Sequence, residues 1–245
     1  MEARERSGEA AAVGGTQAFR AVDYAEDATG FGAVEFRTTR DLLLRPRDVL
    51  DAYLAHGSTG GGRYARPMRL YLALCGVLMF YLFLVGGTES LISGMPADLL
   101  DRTVARSGKT REAFLNDADG WMSLTSVPLL SFFYALAVAP LLKRWTRCGW
   151  RPAFRATFAL LCAWTVPMLP FGPLPYVDPY RVAASVLIWV ILVFAFVRMG
   201  RGRWWTGRWE AAGKSLLLIV AINVAGVAGS VAAFAVALLG GIYGS

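Results

Sequence analysis

Charge-free apolar stretches alternate with charged segments along most of this chain, from residue 69 to its end. Each stretch is about as long as an α-helix must be to cross ~30 Å of hydrocarbon. No acidic or basic residue lies inside any of them, except near the ends. The pattern predicts an all-α polytopic membrane protein with five transmembrane helices. The five predicted spans cover residues 70–88, 121–142, 156–171, 181–197 and 215–240.

The composition excludes a soluble globular domain and a disordered chain. Hydrophobic residues make up 56% of the 245 residues and charged residues only 18%, with a mean hydropathy of +0.44. Ordinary soluble domains have about 45–50% hydrophobic and about 25% charged residues. The fourth span is apolar on every face over residues 186–194, whereas a surface helix of a soluble protein keeps a polar face. The chain is therefore expected to reside in a membrane.

Basic residues are concentrated in alternate loops, which predicts the orientation of the chain. Loop 143–155 holds five basic residues and no acidic one, and loop 198–214 holds five basic residues and one acidic one. Segment 89–120 has four basic and six acidic residues, and segment 172–180 has one aspartate and no basic residue. Because basic residues close to a span resist translocation, the N-terminus and both basic loops are predicted to be cytoplasmic and the C-terminus outside. The net charge of +7 thus sets topology and does not indicate nucleic-acid binding.

Two segments precede the first span. Residues 1–36 contain scattered acidic residues and no apolar run, so they are predicted to form a flexible cytoplasmic tail and not a cleaved signal peptide. Residues 37–68 are predicted to form an amphipathic juxtamembrane helix on the cytoplasmic side, followed by a hinge. Residues 69–245 then form the transmembrane domain.

Apolar side chains recur near helical spacing within segment 37–68. Pro46 suits the first turn of such a helix and Gly57 its C-terminal cap. A helix of this kind beside a membrane lies in the headgroup plane or docks under the helix bundle, and a surface for a cytoplasmic partner is the alternative. The recurring apolar residues are Leu42, Val49, Leu50, Tyr53 and Leu54.

Short motifs around the first two spans resemble those of a known family. They are Leu44-Arg45-Pro46, Tyr53-Leu54, the glycines at 60–62, Arg63-Tyr64, Pro67, Pro128-Leu129-Leu130 and Leu141-Leu142-Lys143-Arg144. Over residues 44–145 the chain is similar to a family of uncharacterised bacterial multi-pass membrane proteins that often carry an N-terminal zinc ribbon. The resemblance implies a location in the bacterial cytoplasmic, or inner, membrane. Five spans with a cytoplasmic N-terminus also resemble the topology of Yip1-type proteins, which act in membrane trafficking and shaping.

The chain departs from the pattern of that bacterial family at several positions. Arg47 stands where the family usually has glycine, the histidines common after the second span are missing, and the zinc ribbon is absent. Zinc would need four closely spaced Cys or His ligands, whereas the chain has Cys75, Cys148, Cys162 and His56. The three cysteines are predicted to be free thiols, and no metal or cofactor is expected.

No pattern of residues indicates catalysis. A nucleophilic site needs a base beside the nucleophile, and the single histidine, His56, lies at a predicted helix end. Residues 107–110 end like a phosphate-binding loop but lack its upstream glycine, and residues 116–120 are interpreted as a plain turn and not a calcium loop. Because no carboxylate, histidine or lysine lies inside a span, ion-coupled transport is disfavoured. The protein is therefore predicted not to be an enzyme.

The two basic loops mix arginines with tryptophans. Indole rings favour the headgroup zone, and arginines pair with lipid phosphate. We interpret these residues as a weak site for anionic lipid set within an ordinary aromatic belt. The predicted lipid-binding residues are Arg144, Trp145, Arg147, Arg203, Trp204, Trp205, Arg208 and Trp209.

Small residues recur four apart in the fifth span. Such spacing lets membrane helices approach closely, either within one bundle or as the seam of a homodimer. The predicted packing residues are Ala225, Gly229, Ala233 and Ala237.

Prolines at 167, 170, 173 and 175 break the third span near its predicted outer face. They indicate an extended outer turn or, alternatively, a helix that lines a cavity. The sequence as a whole predicts an integral inner-membrane protein that acts as a non-enzymatic membrane scaffold or lipid-associated envelope factor. The alternative is a small-molecule or lipid transporter that uses the proline-broken third span.

Overall fold

The computed structural model describes residues 32–84, 97–171, 174 and 179–244. This part of the chain is helical and contains no β-strand, so the predicted all-α fold is confirmed. Its α-helices are numbered here in chain order. They are α1 (Ala33–Leu44), α2 (Pro46–His56), α3 (Pro67–Leu84), α4 (Ala97–Ser107), α5 (Arg111–Thr146), α6 (Trp150–Met168), α7 (Arg181–Gly200) and α8 (Arg208–Tyr243).

Four helices are long and apolar enough to cross a membrane: α5, α6 with the 3-10 turn that follows it, α7 and α8. They coincide with the last four predicted spans. The predicted first span corresponds to α3, whose apolar part, Pro67–Tyr81, is shorter than the other four helices. Residues 85–88 of that span lie outside the described part of the chain. A fifth span therefore stays a prediction.

Helices α5 and α8 contain 36 residues each and are therefore about 54 Å long. They exceed the predicted spans because the apolar pattern marks only the ~30 Å of hydrocarbon, whereas both helices continue into polar sequence. The turn predicted at residues 116–120 is wrong, because these residues lie inside α5. Phe114, Ala118 and Met122 follow one another at four-residue spacing and are buried in one cluster with residues of α8. This packing outweighs the turn-forming composition of the segment.

Helix α4 packs against the start of α5 and the end of α8. Leu100 of α4 is buried in the same cluster as Phe114 and Ala237. Lys109, just after α4, donates hydrogen bonds to the Asp117 carboxylate and to the Gly244 carbonyl oxygen. These contacts join the start of α5 to the end of α8.

Helix α6 lies at the centre of the bundle. Its residues from Ala156 to Val166 are all buried, and it contacts α1, α2, α3, α5 and α7. The Trp164 indole donates to the Ile188 carbonyl oxygen of α7 at 3.1 Å and meets the Tyr134 ring of α5 edge to face at 6.2 Å. The positions of the surrounding helices are therefore set by their contacts with α6.

The segment predicted to be amphipathic forms two helices and not one. The chain breaks at Arg45, whose φ of −139° and ψ of 54° are not helical, in keeping with the restriction on a residue that precedes proline. Pro46 lies in the first turn of α2, and Gly57, with a φ of 88°, ends that helix. Val49 and Leu50 are fully buried, and α2 contacts α6 and α7. Helix α2 is therefore docked on the bundle.

Hydrogen bonds fix the connection between α2 and α3. The Tyr53 hydroxyl donates to the Ala65 carbonyl oxygen at 2.5 Å, and the Ala65 N–H donates to Thr38 Oγ1 at 2.9 Å. The Tyr64 hydroxyl donates to the Asp41 carboxylate at 3.4 Å. Burial raises the pKa of Tyr53 and of Tyr64 and so favours the protonated form that donates these hydrogen bonds. The network ties the residues before α3 to α1 and α2.

Candidate functional site

The two basic loops lie side by side at one end of the bundle, called here the basic end (residues 143–155 and 198–214). The Trp145 ring meets the Phe196 ring edge to face, with centroids 5.6 Å apart. Lys214 Nζ lies 5.4 Å from the centroid of the Trp145 ring. These contacts place Trp145 of the first loop beside the residues at both ends of the second loop. Some of the predicted lipid-binding residues fix the loops, and the others face outward.

Trp204 is buried, with 1% of its surface exposed. Its ring stacks on Phe196 with centroids 5.3 Å apart and an interplanar angle of 18°. Gly200 lies against the indole so closely that a Cβ atom there would clash with it. Trp204 therefore stabilises the loop from inside and does not present its ring to lipid. In the sequence Trp204 resembles Trp205 and Trp209, because all three lie among arginines.

Lys214 holds the second basic loop against α8. Its Nζ donates to the Trp204 carbonyl oxygen at 2.5 Å and to Glu210 Oε1 at 2.6 Å. The Glu210 carboxylate also accepts from the Thr206 N–H at 2.8 Å. The net positive charge of the loop says nothing of this role of Lys214, although its i,i+4 spacing from Glu210 indicates the ion pair.

Arg198 and Arg203 attach the α1–α2 pair to the basic end. The two Nη atoms of Arg198 donate to the carbonyl oxygens of Leu43 and Leu44, each at 2.8 Å. These carbonyls end α1 and lack helical partners. Arg203 forms an ion pair with Asp51 of α2. Arg198 and Arg203, whose charges help to predict the topology, therefore also hold α1 and α2 in place.

The exposed residues of the predicted site are of a different kind. Arg144, Arg147, Arg208 and Trp209 all face outward, and Trp209 is 92% exposed. None of the three arginines forms an ion pair with another residue of the described ranges. Their charges are therefore available to a ligand.

A shallow recess, largely open to its surroundings, lies where α5 meets α6. Lys143, Arg144, Arg147 and Trp150 line it, and Lys143 Nζ lies 4.2 Å from the Trp150 ring centroid. Loop 143–155 contains no acidic residue to neutralise these bases. Because arginines bind phosphate through paired N–H groups and indole rings favour the headgroup level, this basic recess has the chemistry to hold a phosphate-bearing headgroup.

The small-residue face of α8 packs against α5 of the same chain. Ala225, Gly229, Ala233 and Ala237 are all buried. A Cβ atom at Gly229 would lie 3.0 Å from Leu130 Cδ2 and 3.3 Å from Leu130 Cα. A homodimer through the fifth predicted span would therefore have to use another face of α8.

A second space lies between α3, α5, α6 and α8. This intramembrane cavity has a volume of about 550 Å³. Helix α6, the proline-broken third predicted span, contributes Trp164, Thr165 and Met168 to its wall. Pro167 lies inside α6, and the chain continues as a 3-10 turn over Leu169–Phe171. The prolines at 173 and 175 lie outside the described residues.

No group of three His, Cys, Asp or Glu side chains able to hold a metal occurs in the described ranges. Cys75 and Cys162 are buried, and His56 is the last residue of α2. The Asn223 amide donates to the Ile219 carbonyl oxygen of its own helix at 2.9 Å.

Comparisons of the chain with protein-family models, with curated proteins and with solved structures give no match. The resemblance to the bacterial multi-pass family therefore stays a prediction.

Proposed function

We propose that the protein is a non-enzymatic integral protein of the bacterial inner membrane. It binds anionic lipid headgroups at its basic end and acts as a membrane scaffold or lipid-associated envelope factor. The observation that carries this proposal is the basic recess, where Arg144 and Arg147 are exposed and form no ion pair within the described part of the chain.

The position of the basic recess supports a lipid ligand over a soluble one. Leu142, one residue before Lys143, is the last residue of the second predicted span, so the recess adjoins the hydrocarbon boundary. Each basic residue near an anionic leaflet contributes about 1 kcal/mol of binding. Three bases around one recess therefore favour an anionic headgroup strongly over a neutral one.

The proposed orientation supports the same assignment. With five spans, α3 being the first, the basic end lies on the cytoplasmic side and the C-terminus outside. The charge distribution of the loops favours this orientation. Anionic lipids of the cytoplasmic leaflet then lie on the same side as the recess.

Removing the two free arginines of the recess is expected to weaken the binding of anionic lipid. The double variant Arg144→Gln/Arg147→Gln loses about 2 kcal/mol, or roughly thirtyfold in affinity for phosphatidylglycerol. Native mass spectrometry of the protein with phosphatidylglycerol or phosphatidylcholine added measures this loss, and binding of the neutral lipid should not change.

The matched control is Arg102→Gln/Arg106→Gln, which removes the same charge from exposed positions on α4, at the other end of the bundle. This control should retain phosphatidylglycerol binding. An equal loss of phosphatidylglycerol binding in both double variants would mean that the lipid responds only to the net charge of the protein. That result would contradict a site at the recess.

A transporter is the second candidate function. It is favoured by one observation, the contribution of α6 to the wall of the intramembrane cavity. Movement of a labelled lipid or small molecule across proteoliposomes, blocked by filling the cavity, would support the transporter over the scaffold.

A further inference from the structure

The intramembrane cavity has the length of one lipid leaflet. Along α5 its wall runs from Met122 to Tyr134, a rise of about 18 Å along the helix axis. Half of the hydrocarbon thickness is about 15 Å. The cavity therefore follows the full depth of the leaflet near α4, at the end of the bundle opposite the basic end.

The wall of the cavity suits a hydrocarbon chain. No charged side chain contributes to it, and most of its lining is apolar. Met79, Met122 and Met168 lie in the wall, and the flexible, polarisable side chain of methionine adapts to ligands of variable shape. A volume of about 550 Å³ is within the range of small-molecule sites, about 300–1,000 Å³. An inorganic ion would find no oppositely charged side chain in this wall.

One polar atom in the wall lacks a partner. Ser126 Oγ is buried and forms no hydrogen bond with the described residues. In hydrocarbon no water is at hand to satisfy it, and an unpaired hydroxyl is costly there. Ser126 lies five residues, or about 8 Å, from Trp121, and tryptophans mark the membrane interface. The ester carbonyl of a phospholipid can accept this hydrogen bond when its acyl chain occupies the cavity.

We propose that the cavity binds one acyl chain of a membrane phospholipid, with the ester carbonyl accepting a hydrogen bond from Ser126 Oγ. The bound lipid belongs to the leaflet opposite the basic end. This site is separate from the proposed headgroup site, so either proposal can fail without the other.

The test uses a phosphatidylcholine with a photoreactive diazirine on its acyl chain, mixed with the full-length protein in liposomes. After irradiation, peptide mapping should place most of the label on residues of the cavity wall. Val231→Phe, at an exposed position on the wall (63% exposed), should abolish most of that labelling. Val227→Phe is the matched control, because Val227 is 66% exposed on the same helix and is not part of the wall.

The hydroxyl of Ser126 is tested with the same probe. Ser126→Ala should lower the affinity of the site about fivefold, as for the loss of one ordinary hydrogen bond. Ser123→Ala, at an exposed position of α5, should leave it unchanged. Label spread evenly over lipid-facing residues, or equal labelling of the Val231 and Val227 variants, would overturn the proposal. Displacement of the probe by free oleate at lower concentrations than by phospholipid would overturn the assignment to an ester lipid.

Discussion

Replacing Trp204 with alanine is expected to lower the free energy of unfolding by about 3–5 kcal/mol, the usual range for a large aromatic side chain removed from a core. The ring is buried and stacked on Phe196, so its loss leaves a cavity beneath the α7–α8 connection. Thermal unfolding of the purified protein in detergent measures the effect as a lower melting temperature.

Trp209→Ala is the matched control for this prediction. Trp209 belongs to the same basic loop but is 92% exposed, so its removal should change the melting temperature little. Equal melting temperatures for the two variants would contradict the structural role of Trp204. They would instead favour the prediction from the sequence that Trp204 contacts lipid.

Replacing Gly229 with leucine is expected to destabilise the protein by about 1–3 kcal/mol, as overpacking of a well-packed interface does. Even a Cβ atom at this position approaches Leu130 Cα to 3.3 Å, and this backbone atom cannot move aside as a side chain can. Membrane insertion should not suffer, because leucine favours the bilayer. The variant should therefore reach the membrane and show a lower melting temperature in detergent.

Val227→Leu serves as the comparison for Gly229→Leu. It adds bulk at an exposed position of the same helix and should have little effect. If both variants melt like the unchanged protein, the small-residue face of α8 is not a tight helix contact, and its small residues would be only a consequence of an alanine-rich composition.

The membrane-length helices are predictable from the sequence because their signal is local. A run of uncharged apolar residues is sufficient to indicate α5, α6, α7 and α8, whatever their neighbours are. The ends of α5 and α8 are less predictable, since polar residues continue both helices beyond the hydrocarbon. Residues 116–120 illustrate the reason: their composition favours a turn, but Ala118 is buried in a cluster with α4 and α8.

The candidate site is only partly predictable, because a count of charges does not reveal their partners. Arg144 and Arg203 look alike in the sequence, yet Arg203 pairs with Asp51 and Arg144 faces outward. The role of Trp204 depends on Phe196, eight residues earlier, and on Gly200. The wall of the cavity comes from four helices whose relative positions no local pattern encodes.

The location of the C-terminus is the most direct test. It shows whether the number of spans is odd and on which side of the membrane the basic recess lies. Fusions of alkaline phosphatase and of green fluorescent protein to the C-terminus measure it in a bacterial host. We expect an active phosphatase fusion and a dark fluorescent fusion, since five spans from a cytoplasmic N-terminus leave the C-terminus outside. An inactive phosphatase fusion with a bright fluorescent fusion would contradict the account, because it would mean an even number of spans or basic loops on the outer side.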